Sequence, residues 1–463
     1  MKILEKVVTA RLKNIINIDE MQRGFVAGRS TMDAIFLVRQ IQEKFLEKNR
    51  TLWMAFVDLE KAYDRVPREL VFWALRRKQV PETLIDLIRT LYQNSKSIVK
   101  TAVGNTEAFQ VDVGVHQGSA LSPLLFIIVM EEITKDIKQG LPYEVLFADD
   151  LVLMDVNEEK SRDKLLMWQT TLENYAMKVN FEKTKVMECK KKAEIEESAY
   201  VKWPCAVCKN GVGKKSIRRM TCKLWVHHRC SGEAKPLTAS HDFTCSVCSG
   251  QKQSTITRTF TLKPGVVLEK VTSFPYLGDK LQANGGAQEA IRNRIKIAWT
   301  KWREVASLLV KKEIALKNRS LAYKIYIRSS LTYGSETWAL TENDKALLNR
   351  TELKMLRWMM GPSSYDKSEK YIREATNVES IVEVITQHRL KWFGHVSRMS
   401  EVNWIRKSLY MEVGGNRGRG RPAKKWIDLV NKDMLEKGLE QRVTNDRVQW
   451  KAKLRTKRPN PGN

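Results

Sequence analysis

The chain has 463 residues, 43% of them hydrophobic and 29% charged, ordinary proportions for a globular protein able to bury a sizeable core. Lys and Arg total 81 against 53 Asp and Glu, a net charge of +28, which argues against a small neutral metabolite as sole partner and for a polyanion. The excess is uneven: residues 1–190 carry 28 basic and 27 acidic side chains, and residues 191–463 carry 53 and 26.

The first ten residues show no charged region leading into an apolar core, so no signal peptide is expected. The longest membrane-like run, Ala120–Met130, is too short to span and is followed by Glu131 and Glu132. Six of the seven cysteines crowd into 205–248, which without an export signal points to metal rather than disulfides. The expectation is a soluble intracellular protein, located in the nucleus, with the cytoplasm left open as a further location, and without a membrane partner.

In chain order, Ile35, Val38, Ile41, Phe45 and Leu46 recur at helical spacing after Asp33. Trp53–Val57 reads as a buried strand ending at Asp58, and Leu121–Met130 as a buried helix. Val145–Ala148 and Leu151–Met154 read as two strands joined at Asp149-Asp150, a hairpin signal. Basic, polar stretches at 190–198 and 251–258 mark boundaries. Beyond Ala287 the pattern is helical, with Arg292, Arg294, Lys296, Arg303 and Arg328 interleaved with Trp299, Trp302, Tyr323 and Tyr326.

Asp58, Asp149 and Asp150 therefore fall where strands deliver them to an edge. Joining nucleotides calls for two divalent ions about 4 Å apart, and Mg²⁺ takes only one or two carboxylates beside water and phosphate. Taken singly, each aspartate reads first as an ordinary turn or strand-end residue.

Their surroundings carry a resemblance. Phe56-Val57-Asp58-Leu59-Glu60-Lys61-Ala62-Tyr63-Asp64-Arg65-Val66 resembles motif A of reverse transcriptases, Gly114-Val115-His116-Gln117-Gly118-Ser119-Ala120-Leu121-Ser122-Pro123 motif B, and Phe147-Ala148-Asp149-Asp150 motif C as found in non-LTR retrotransposons. Met177-Lys178-Val179-Asn180 with Lys183-Thr184-Lys185 resembles motif D, Phe274-Pro275-Tyr276-Leu277-Gly278 motif E, and Gly24–Thr31 a fingers segment, all in the family's order.

The resemblance implies an α+β right-hand polymerase of fingers, palm and thumb, with an antiparallel palm sheet. It implies an RNA-directed DNA polymerase using Mg²⁺ or Mn²⁺, an RNA template, a DNA primer and dNTPs. Asp58 and Asp149 would hold the metal, with Asp150 beside them. Tyr63 would pack under the incoming sugar, Gln117 and Gly118 would let backbone approach template and nucleotide, and Arg29 would lie among the nucleotide- and template-binding residues. Lys183 would be a candidate general acid; a solvated lysine after a strand is the equal alternative. The chain opens in what resembles the middle of the family's fingers, without the preceding strands or an upstream endonuclease, so N-terminal truncation is expected and activity is left open.

Cys205-x2-Cys208 and Cys245-x2-Cys248 flank Cys222 and His227-x2-Cys230, a spacing that suits zinc. The order resembles a PHD finger. That likeness assigns Cys205, Cys208, His227 and Cys230 to one Zn²⁺ and Cys222, Cys245 and Cys248 to a second, whose fourth ligand falls at Arg219; His228 or His241 could substitute. Such fingers read histone tails, but only Trp203 offers a cage wall, so a structural or interaction module stands beside that reading. Arg419-Gly420-Arg421-Pro422 resembles an AT-hook core, which would contact genomic DNA, against an unspecific basic loop.

The expected organisation is fingers and palm over 1–188, a PHD-like zinc finger over 200–250, motif E and a helical thumb over 256–345, and a basic helical region over 346–463. The thumb's cationic face would grip a hybrid duplex. The alternative function is a catalytically inactive remnant that binds nucleic acid or chromatin through its finger.

Overall fold

The computed structural model describes residues 2–93, 95–191, 259–417 and 423–454, together with the short strands Ser216–Arg218 and Trp225–His227. The chain divides into two compact units, residues 1–191 with 261–463, and residues 192–260. In the second unit the two short strands pair antiparallel, Trp225 opposite Arg218.

Helix α1 (Lys2–Ile15) is followed by α2 (Thr31–Glu47). The start of α2 is fixed by a capping box: the Ser30 hydroxyl accepts from the Asp33 amide, and the Asp33 carboxylate accepts from the Ser30 amide. The helix then buries most of its circumference, including Ile35, Phe36, Leu37 and Val38. Next come β1 (Leu52–Val57), α3 (Arg68–Arg77), and α4 (Ser122–Ile133), which has Pro123 in its first turn. Strands β2 (Glu144–Phe147) and β3 (Asp150–Asp155), helix α5 (Glu158–Asn174) and strand β4 (Lys185–Cys189) complete the first part. Strands β5 (Thr259–Lys263) and β6 (Val266–Lys270) precede the hairpin β7 (Ser273–Tyr276) and β8 (Asp279–Gln282).

One sheet of six strands runs in the order β5-β6-β4-β1-β3-β2. Strand β1, every residue of it buried, pairs antiparallel with β3 and β4, whereas β6 adds parallel to β4. Helices α2 and α5 pack against this sheet. The hairpin β7–β8 turns at Leu277-Gly278, both with positive φ, the pair of conformations that a type I′ hairpin turn requires. The fold is thus mixed α/β with a largely antiparallel sheet, consistent with a right-hand polymerase.

From residue 288 the described chain is helical, as the sequence pattern predicts: α6 (Gln288–Val310), α7 (Glu342–Met360), α8 (Ile381–Ser397), α9 (Trp404–Tyr410), α10 (Trp426–Glu436) and α11 (Arg447–Leu454). Glu352 of α7 is fully buried yet fully engaged, accepting from Arg328, Arg373, Tyr323 and the Ile381 amide. The last helices return to the N-terminal part. Phe36 of α2 meets Trp426 edge-on at 4.8 Å and Trp392 at 5.6 Å, and the Trp426 indole donates to the Glu336 carbonyl at 2.7 Å. Arg389 and Asp433, both buried, tie α8 to α10.

Two expected boundaries move by a residue or more. The helix read as Leu121–Met130 runs from Ser122 to Ile133, with Thr134 closing its last turn. The turn expected at Asp149-Asp150 instead comprises Ala148 and Asp149: Phe147 pairs with Asp150, which is the first residue of β3. Ala148 takes a φ of +58° and is buried, so the bend is made one residue earlier than composition suggests. No helix among the described residues is long and apolar enough to cross a membrane. Cys189 is buried beside Gln42, with its thiol pushed up to about 12 by burial, as expected of a cysteine acting as a small apolar residue.

Candidate active site

The register of β1 against β3 sets Val57 opposite Leu151. The next residue outward is in each case an acid, Asp58 just past the end of β1 and Asp150 opening β3, and Asp149 sits in the adjoining turn. Two hollows meet at these residues. One, of about 520 Å³, is lined by Asp58, Asp150, Lys183, Phe274 and Tyr276 among others. The second, of about 340 Å³, is lined by Phe25, Tyr63, Gln117, Gly118, Asp149 and Asp150 among others.

The electrostatics favour a cation. Loss of water on its inner side raises Asp150 to about 6, helped by the charges of Asp149 and Asp58, although the side chain remains open on its outer side. Asp149 is raised by burial and then by Asp58, with its own backbone amide opposing. The Asp58 Oδ2 is buried without a hydrogen-bond donor, and Lys183 Nζ lies 3.7 Å from it. Hard carboxylate oxygens suit Mg²⁺ or Mn²⁺. Among the described residues no three His, Cys, Asp or Glu side chains are arranged as a ready-made metal cluster, so one or two carboxylates would have to share the ion with substrate and water.

The remaining residues named from the sequence fall as follows. Tyr63 stacks on Phe126 at 4.6 Å, and its buried hydroxyl has no partner; burial, then Asp149, raises it. Gln117 donates from Nε2 to Asp64 Oδ1 at 2.7 Å, so the motif B loop is tethered to the motif A segment. Gly118 lines the same hollow with a φ of +80°. Arg29 is not directed into either hollow. Its guanidinium donates to the backbone carbonyls of Asp19, Gln22 and Ile18, holding together its own segment. Lys183 is largely exposed beside Asp58. Cys205, Cys208, Cys222, Cys230, Cys245, Cys248 and the Arg419–Pro422 segment lie outside the described residues. His227 ends a described strand, opposite Ser216, but its side chain is outside them.

Sequence reasoning passed over several residues that shape the site. Glu5 is buried and accepts from the Ala120 amide at 3.0 Å, bracing the motif B loop from α1. Arg68 donates to the carbonyls of Gly114 and Tyr92 at the base of that loop. Tyr276 is buried with its hydroxyl unpartnered, close enough for Asp150 to raise it after burial does. Only for Tyr276 was there a signal, its place in motif E.

Residues 1–278 match the family described as reverse transcriptase (RNA-dependent DNA polymerase). Among curated proteins, the chain is 29% identical over 150 residues to the retrovirus-related Pol polyprotein from type-1 retrotransposable element R2 of Nasonia vitripennis, covering 31% of this chain. It is 28% identical over 158 residues to the corresponding polyprotein from type-2 retrotransposable element R2DM of Drosophila melanogaster, covering 32%. Each alignment spans 15% of that relative's own length. Among solved structures, apo telomerase from Candida tropicalis aligns over 97% of this chain and 60% of its own, at 10% identity and a TM-score of 0.37. The family match covers more than half of the chain and encloses Asp58, Asp149 and Asp150: the chain belongs to the reverse transcriptase (RNA-dependent DNA polymerase) family.

Proposed function

We propose that the chain carries the polymerase of a non-LTR retrotransposon and extends a DNA 3′ end on an RNA template by two-metal phosphoryl transfer. The observation that carries the reading is the emergence of Asp58 and Asp150 side by side from neighbouring strands, with Asp149 in the adjoining turn. Asp58 and Asp149, with Asp150 beside them, would hold Mg²⁺ or Mn²⁺, each ion taking one or two of these carboxylates beside substrate and water. Bound there, a divalent ion supplies a charge that favours the ionised 3′ oxygen and offsets the build-up of negative charge on phosphate. The protein side chains do the rest by position. Tyr63, braced on Phe126, offers a flat wall to the incoming sugar. Gln117, held by Asp64, keeps the motif B loop beside it. Lys183, next to Asp58, can give a proton to the departing pyrophosphate from Nζ.

In the same proposal residues 200–250 form a PHD-like zinc finger, supported by their cysteine spacing, the basic helices from 288 onward grip the hybrid duplex, and Arg419–Pro422 contacts DNA. Histone tails are a further candidate partner of the finger, and a nuclear location follows from these partners. The test is incorporation of dNTPs by the purified chain on a primed RNA template with Mg²⁺ or Mn²⁺. Wild type should extend the primer and Asp149→Ala should not, while both bind the duplex. Equal binding with no extension by either would favour the inactive, nucleic-acid-binding alternative. Zinc content of the chain, measured by mass spectrometry, tests the finger separately.

A further inference from the structure

The turn that presents Asp149 does not hold its shape alone. Ala148 has a φ of +58°, a region that side chains other than glycine rarely enter. Its amide donates to the side-chain Oε1 of Gln22 at 2.8 Å. The same oxygen accepts from the Gly24 amide at 2.8 Å. Gln22 itself is buried, and its segment lies along the edge of the sheet: Gln22 bridges Leu146 in parallel, Arg23 donates to the Leu146 carbonyl, and the Leu146 amide donates to Met21. Gly24 closes the contact from the other side, because a Cβ there would stand 2.6 Å from the Ala148 nitrogen.

We infer that Gln22 is a positioning residue for the metal-holding acids: it clamps the Ala148-Asp149 turn in the conformation that sets Asp149 and Asp150 against Asp58. This rests on the polymerase reading above for the role of those acids. The need for a clamp is electrostatic. Three carboxylates with little between them repel, and the turn is the part free to swing away. A carboxamide oxygen bonded to two backbone amides resists that swing without adding charge.

Three chains distinguish the clamp from a general structural role: wild type, Gln22→Met, which keeps the size and loses the acceptor, and Gln22→Glu, which restores one. Two readouts do not depend on turnover. Hydrogen exchange of the peptide spanning Leu146–Leu151 should quicken roughly tenfold in Gln22→Met and stay within about threefold of wild type in Gln22→Glu. Mn²⁺ affinity, measured by electron paramagnetic resonance on the chain with no nucleotide, should fall roughly fivefold or more in Gln22→Met. If wild type polymerises, kcat should drop about tenfold with KM for dNTP within about twofold. Gln22→Asn, which withdraws the oxygen by one methylene, serves if Gln22→Met does not fold, with the same two changes expected. A folded variant lacking the acceptor, with wild-type exchange at this turn and wild-type Mn²⁺ affinity, overturns the inference. Failure of the polymerase reading shows differently, as absence of extension by wild type.

Discussion

Arg39 of α2 donates from Nη2 and Nε to a single carboxylate oxygen of Asp279 on β8, at 2.9 and 3.3 Å, with both side chains buried. The same guanidinium reaches the carbonyls of Lys280 and Gly286, so one arginine fixes the β7–β8 hairpin and its following loop to the central helix. Breaking one partner of a buried pair leaves the other charged and unmet. Arg39→Met should therefore cost about 3–5 kcal/mol. Urea unfolding read by tryptophan fluorescence checks this, and a loss below about 1 kcal/mol would show that the pair is not needed.

Glu43, one turn further along α2, gives a pH dependence with a definite sign. Its Oε1 is buried without a donor, while Oε2 accepts from the Trp426 amide at 2.9 Å. Burial pushes the carboxyl up to about 7; the Trp426 amide, Lys44 and Lys425 act against the shift and Asp428 adds to it. The folded state thus holds this proton more tightly than the unfolded chain. Its contribution to stability is fully present below about pH 4.5 and declines as pH rises toward 7, by on the order of 1–3 kcal/mol. Glu43→Gln keeps an acceptor for Trp426 and cannot ionise. The variant should gain melting temperature over wild type at pH 8 and show little difference at pH 4.5. An identical difference at both pH values would contradict the assignment.

Gly394 lies inside α8, where alanine would ordinarily be the better helix former. Here a Cβ would come within 2.2 Å of the Trp450 indole nitrogen, which donates to the Leu390 carbonyl. Gly394→Ala should destabilise by about 1–3 kcal/mol despite its helix propensity. Differential scanning calorimetry reads the outcome, and stabilisation would mean that α11 does not dock there.

Lys183 is exposed, and its pairing with Asp58 contributes little to folding. If it supplies the leaving-group proton, Lys183→Met should slow single-turnover nucleotide addition roughly 100-fold and leave the melting temperature unchanged. An unaltered rate would return Lys183 to the status of a solvated lysine.

The acids were readable from sequence because each follows or precedes a short apolar run, and strand ends leave few choices for where such residues go. The turn between β2 and β3 was placed one residue late. What shifts it is a side chain 126 positions away, the Gln22 carboxamide, and no local pattern announces a bond from a glutamine to a distant backbone amide. Arg29 shows the converse. Its place in a recognisable segment suggested substrate, yet it spends its donors on the carbonyls around it. That Phe36, Trp392 and Trp426 belong to one cluster depends on packing between distant helices, which periodicity does not encode.

The return of α8 and α10 onto α2 also bears on how the chain reaches this state. Phe36 leaves the ribosome far ahead of Trp426, and at about 5–20 residues per second the delay is roughly 20–80 s. Throughout that time an apolar face of α2 lacks its cover. Contacts so remote in sequence slow folding and lengthen exposure to misassembly. Synthesis of this protein therefore passes through a prolonged interval in which a chaperone able to shield α2 should improve the yield of native chain.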